Sequence, residues 1–154
     1  MTATTEEIDP LALENQVCFA LAVAARSVIA LYRPLLEPMG LTHPQYLVML
    51  ALWGHAPLSV TELSGQLALD PGTLSPLLKR LEVQGYVERR RVPGNERTLA
   101  VTLTDAGRAL RVDAERIPPA VVERLGMPLE ELIRLHTDLT AVIAAATAKP
   151  TTSG

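Results

Sequence analysis

A surplus of positive charge is missing from this chain, as are disulfides and long apolar runs, and aromatics are few. Its 154 residues carry 14 Lys and Arg against 17 Asp and Glu, a net charge of −3. The chain is therefore no polycation, and any role with nucleic acid must come from local clustering. Phe, Trp and Tyr make up only 3%. The apolar content falls to Leu, Ala and Val, which tilts the composition toward helix. A single cysteine excludes an intrachain disulfide and any Cys-cluster zinc site. The start, Met1 to Glu7, is acidic where a signal peptide is basic. The longest clean apolar run, Val17 to Ala25, ends at Arg26, well short of the roughly 18 residues a membrane span needs. These absences predict a soluble, cytoplasmic protein with no membrane partner and a single domain, 1–154. With 48% hydrophobic residues the chain can build a core.

The charge that is present is segregated. Residues 1–60 hold two basic residues against five acidic ones, a local net of −3. Residues 77–97 hold six basic residues (Lys79, Arg80, Arg89, Arg90, Arg91 and Arg97) against three acidic ones, a local net of +3. A solvated charged face would look the same on composition alone, so the flanking pattern decides.

Residues 11–38 read as one long helix, with Pro10 tolerated at its first turn and Pro34 kinking or starting its end. From Val17 to Leu31 it is apolar on nearly every face. Such a helix must be buried all round, and at about 28 residues and ~42 Å it is hard for one small chain to surround. A second copy would cover it. Thr42 and Gln45 form a capping box that opens a helix to about Trp53. Ser59 and Glu62 form a second, opening a helix over 60–67. Asp70 followed by Pro71 opens a third over 71–84, with Gly85 ready to end it. The three-residue turn between the last two gives a helix-turn-helix.

Tyr86 to Arg91 and Thr98 to Leu103 read as strands around the turn residues Val92 to Glu96. The fold class is thus mainly α with a small β-hairpin wing, a winged helix-turn-helix over 42–103. A further helix runs from Asp105 to about Ile117, where Pro118 and Pro119 interrupt it before a resumption to Leu125. A last helix runs from Pro128 to about Ala146. The tail from Thr151 to Gly154 is expected to be disordered.

On a helical wheel Leu74, Leu77, Leu78 and Leu81 share one side of the third helix. Thr73, Ser75, Pro76, Lys79 and Arg80 line the other. Small hydroxyls can reach base edges, and Lys and Arg can hold phosphates. Arg89, Arg90, Arg91 and Arg97 put an Arg-tipped hairpin beside that face, a shape suited to a narrow minor groove. An ordinary amphipathic surface helix is the bland alternative, and the Arg hairpin weighs against it.

Four stretches carry a family resemblance: Glu14 to Leu21 (ENQVCFAL), Tyr32 to Leu36 (YRPLL), Pro44 to Leu50 (PQYLVML) and Leu69 to Glu82 (LDPGTLSPLLKRLE). Through them residues 14–103 resemble MarR-type (multiple antibiotic resistance regulator) winged-helix repressors, in particular the organic-hydroperoxide-resistance repressors with one cysteine. The resemblance implies a homodimer, joined by the first helix and the last two (11–38 with 104–146), on a pseudopalindromic double-stranded operator. It implies that Arg97, in the wing motif that stands here as Asn95-Glu96-Arg97, enters the minor groove. Asn95 replaces the family's Asp. It also implies that Cys18 is the sensing thiol, held reactive by Tyr32 and by residue 43 of the partner subunit. Residue 43 is a tyrosine in the family and His43 here.

A lone Cys in an apolar helix is otherwise a small buried hydrophobe. With the helix starting near residue 11, Cys18 lies two turns in, beyond the helix dipole. It then needs donors from elsewhere to persist as a thiolate. Tyr32 is 14 residues further along the same helix, roughly 21 Å, so only a partner's Tyr32 can serve. Oxidation would give a sulfenic acid and then, with no second cysteine, a mixed disulfide with a small thiol, a sulfenamide or overoxidation. No cofactor, metal site or catalytic residue is expected. The competing readings are a MarR-type repressor released by a phenolic or other small ligand, a protein-binding winged helix, and, more distantly, a thiol peroxidase.

Overall fold

The computed structural model describes residues 8–148. The tail from Thr151 to Gly154 lies outside them. The chain divides into two compact units after Ile117.

The first unit opens with a 3₁₀ turn, Leu13–Asn15, and then α1, Val17–Leu36. The expected helix over 11–38 is therefore shorter at its start. Gln16 is extended, and its side chain turns back, donating from Nε2 to the carbonyls of Pro10 and Ala12. Pro34 falls in the last turn of α1, and a 3₁₀ turn, Glu37–Met39, follows it. Only Leu36 of α1 is buried, while Val17, Phe19, Val23 and Ile29 are exposed. Residues 17–39 are long and apolar enough by length and composition to cross a membrane, and 6% of that window is buried. A count of uninterrupted apolar residues misses this, because the helix continues through Arg26 and Arg33.

The reading head is built on caps. α2, His43–His55, starts from a complete capping box between Thr42 and Gln45. α3, Val60–Leu67, starts at Ser59, whose Oγ accepts from Glu62 N–H. α4, Pro71–Val83, starts at Asp70. Leu63, Leu74, Leu78 and Leu81 are fully buried, and α2 packs on both α3 and α4. A two-residue strand, β1 (Leu58–Ser59), precedes α3. It pairs with β3 (Asn95–Leu103), which also pairs antiparallel with β2 (Val87–Val92) in the order β1-β3-β2. Sequence reasoning missed β1, because two residues carry no period. It also made the hairpin turn too long: Val92 pairs with Asn95 across Pro93 and Gly94, and Gly94 takes a φ of +85° that suits glycine.

α5, Asp105–Ala114, begins at the N-cap Thr104. It ends before Pro118 and Pro119 rather than at them. The break falls at Glu115 and Arg116, and both prolines sit in the first turn of α6, Ile117–Leu125. There a missing N–H costs no helical hydrogen bond.

The second unit holds the rest of α6 and α7, Leu129–Thr147. Glu130 and Glu131 lie in the first turn of α7, the end that favours negative charge. Leu129, Ile133, Leu135, Val142 and Ile143 are exposed along it.

Candidate nucleic-acid interface and sensing site

α4 is held at its N-terminus by Asp70. One carboxylate oxygen accepts from Thr73 N–H at 2.8 Å and the other from the Thr73 hydroxyl at 3.0 Å. These bonds, the backbone one first, hold the carboxyl of Asp70 below the usual range. The Thr73 hydroxyl proton is thus committed to the cap. Thr73, Ser75, Pro76, Lys79 and Arg80 are all exposed, opposite the buried leucines. Pro76, inside the helix, has no N–H for the Gly72 carbonyl four residues back. The face therefore offers hydroxyls and then two cations along the helix.

The wing is less uniform than its arginines suggest. Strand alternation sets Val87, Arg89 and Arg91 on one face and Glu88 and Arg90 on the other. Val87 and Val101 are buried, so Arg89, opposite Val101, lies on the inward face. It is half-buried and pairs with Glu82 of α4. Arg89, expected at the DNA, here ties β2 to α4 through Glu82. Arg90 pairs with Glu88 at 2.7 Å, both exposed. Arg91 is exposed near the tip, and Asn95 opens β3 there. Arg97 lies on β3, with its side chain outside the described residues.

Cys18 is exposed and is the second residue of α1. That corrects its expected depth of two turns. No side chain caps this helix, and no acidic residue sits in its first turn. Cys18 therefore stands among unpaired first-turn amides at the positive end of the helix. At the other end of α1, Tyr32 meets His43 edge-on, with ring centroids 4.9 Å apart at 67°. Tyr46 completes the cluster, 5.8 Å from Tyr32 and 6.4 Å from His43.

Burial pushes Tyr32 up and His43 down from their ordinary values. Burial, and then a charge on Tyr32, push Tyr46 up. All three rings are held neutral near pH 7. Sequence reasoning did not single out Tyr46. Its spacing of three from His43, one helical turn, was the available signal. A cavity of about 530 Å³ opens beside this cluster, lined by Arg26, Ile29, Arg33, Leu41, His43 and Pro44 among others. Among the described residues, no group of three metal-ligating side chains occurs.

A helix-turn-helix whose second helix presents hydroxyls and cations, followed by a braced β-wing, defines a winged-helix DNA-binding protein. The MarR family signature matches residues 41–99. The chain is 40% identical over 133 residues to the organic hydroperoxide resistance transcriptional regulator of Bacillus subtilis (strain 168), covering 86% of this chain and 90% of that protein. It is 45% identical over 134 residues to the HTH-type transcriptional regulator TtmR of Methylorubrum extorquens (strain PA1), covering 87% and 69%. Among solved structures it is similar to reduced AbfR bound to DNA, with a TM-score of 0.72 and 32% identity over 88% of this chain and 95% of that one. The chain belongs to the MarR family of DNA-binding transcriptional regulators, which are not enzymes.

Proposed function

We propose that this chain is a cytoplasmic, homodimeric repressor that binds a pseudopalindromic operator and releases it when an organic hydroperoxide oxidises Cys18. Two copies would cover the apolar α1 and α7 surfaces and set two α4 helices one DNA turn apart. Thr73, Ser75 and Pro76 read base edges, Lys79, Arg80 and Arg91 hold phosphates, and Arg97 with Asn95 enters the minor groove.

The observation that carries the sensing half is the position of Cys18, exposed in the uncapped first turn of α1. The thiol there is open to peroxide, which its thiolate form attacks. The partner subunit's Tyr32 and His43, both neutral, add hydrogen bonds to it. The thiolate attacks the distal peroxide oxygen and the O–O bond breaks. The alkoxide takes a proton and leaves as the alcohol, while the sulfur, oxidised by two electrons, becomes a sulfenic acid. A low-molecular-weight thiol then condenses with it to a mixed disulfide, releasing water. The B. subtilis relative, named for organic hydroperoxide resistance, supports this reading.

The test is a DNA-binding titration with and without cumene hydroperoxide on wild type and Cys18→Ser. The variant should hold DNA like wild type and ignore the peroxide. Release from the variant would remove the thiol as sensor. The cavity beside His43 favours a second reading, release by a small ligand. A peroxide-insensitive wild type that leaves DNA on addition of a phenolic compound would establish that reading instead.

A further inference from the structure

The end of the recognition helix grips the turn before α2 with side chains that its reading face does not use. Gln84, the C-cap of α4, donates from Nε2 to the Gly40 carbonyl at 2.5 Å. Its Oε1 accepts from Gln45 Nε2 at 3.4 Å. Gln45, 3% exposed, also accepts from the Thr42 N–H at 2.9 Å, and Thr42 adjoins His43. Two residues beyond Gln84, at the root of the wing, Tyr86 donates its hydroxyl to the Met39 carbonyl at 3.2 Å. Two successive carbonyls of one turn are therefore held by the junction of α4 and β2. Gly40, at a φ of +69°, makes the turn possible, and a Cβ there would meet Gln84 Nε2 at 3.4 Å. A cavity of about 500 Å³, lined by Gly40, Gln45, Lys79, Arg80 and Gln84, lies against the grip.

The same turn joins the two elements that carry the Tyr32–His43–Tyr46 cluster. We propose that Gln84 and Tyr86 are positioning residues that transmit a change at this cluster to the recognition helix and the wing. This rests on the reading of Cys18 given above. A coupling needs one element that both sites bias. The turn over 37–42 is that element, covalently joined to the cluster and hydrogen-bonded to the reading head.

The experiment uses full-length wild type, Gln84→Met, Tyr86→Phe, the double variant and Cys18→Ser. Each is reduced or treated with cumene hydroperoxide, on a DNA fragment selected by the reduced wild type. Two quantities are read: the fraction of Cys18 trapped as sulfenic acid by dimedone, and the affinity for DNA. The grip variants should oxidise like wild type and bind DNA within about twofold of it when reduced. Their oxidation-induced loss of affinity should shrink by roughly fivefold per bond removed, the equivalent of about 1 kcal/mol. An undiminished loss overturns the proposal. So does a folded, reduced double variant that no longer binds DNA, since the two residues would then only brace the reading head. Cys18→Ser separates the two ideas. If it still leaves DNA with peroxide, the thiol reading fails and the coupling to Cys18 falls with it. If it does not, the grip variants alone decide.

Discussion

A methyl group at position 107 has no room. A Cβ built on Gly107 would lie 2.1 Å from the carbonyl oxygen of Tyr86 and 3.0 Å from its carbon. Ordinary C···O contact is roughly 3.3 Å, so Gly107→Ala must drive α5 and the root of β2 apart by more than about 1 Å. Three hydrogen bonds cross that gap or lean on it. Thr104 N–H donates to Tyr86 O at 3.1 Å, the Thr104 hydroxyl donates to Gly85 O at 2.5 Å, and Trp53 Nε1–H donates to Gly107 O at 2.9 Å. Overpacking of this kind costs about 1–3 kcal/mol, and each neutral hydrogen bond lost adds about 1 kcal/mol. Against that, alanine gains at most about 1 kcal/mol over glycine in a helix. The expected net loss is about 1–3 kcal/mol, or roughly 3–10 °C in Tm for a chain of this size.

Trp53 is the only tryptophan in the chain, so its emission reports the same event and should shift red as its partner carbonyl moves. Gly65→Ala is the control. It lies in α3, and nothing stands within 4 Å of its added Cβ. Its Tm should hold or rise. Gly107→Ala with a Tm at or above wild type and unshifted emission would refute the close approach of α5 to the wing.

Three further outcomes follow from the site. Arg89→Met should lower stability by about 1 kcal/mol, since Arg89 and Glu82 are half-buried partners, yet leave the salt dependence of DNA binding unchanged. A log–log salt slope reduced by about 0.9 would put Arg89 on a phosphate after all. Arg97→Ala should weaken DNA binding and its preference for A·T-rich flanks, whereas Ser75→Ala should lose discrimination between operator and random DNA with its salt slope kept; equal behaviour of the two variants would dissolve the distinction. Burial lowers the pKa of His43, so the unfolded chain binds the proton more readily, and stability should fall as pH drops through about 6.5 to the folded value. His43→Phe should flatten that fall in denaturant midpoints measured between pH 7.5 and 5, and parallel curves would show that the ring is not buried as described.

The reading head was legible because its helix starts are written locally. Thr42 with Gln45, Ser59 with Glu62, and Asp70 with Pro71 each place a start to the residue, since a cap needs only its own next three positions. Which of the three successive arginines turns inward was not legible, because strand alternation decides it and composition cannot show that. Pro118 and Pro119 were read as breakers, although proline also suits a first turn, and the choice depends on where the preceding helix has stopped. Tyr46 lies in the core, but its neighbours Tyr32 and His43 come from two elements joined by a glycine turn that no period describes.

The start of α1 was the error with most consequence for chemistry. Pro10 is as permissive a start as Gln16, and the apolar composition runs past both. What decides is the Gln16 side chain, which bonds back to Pro10 and Ala12 and leaves the first helical amides uncapped. Placed two turns in, Cys18 would lie inside the apolar run of α1. Placed second in the helix, it stands exposed at the helix end, where a peroxide can reach it. On the proposed reading its hydrogen-bond donors are the partner subunit's Tyr32 and His43. Loss of the His43 donor should therefore slow oxidation of Cys18 only in part, because removing it leaves the Tyr32 hydroxyl in place.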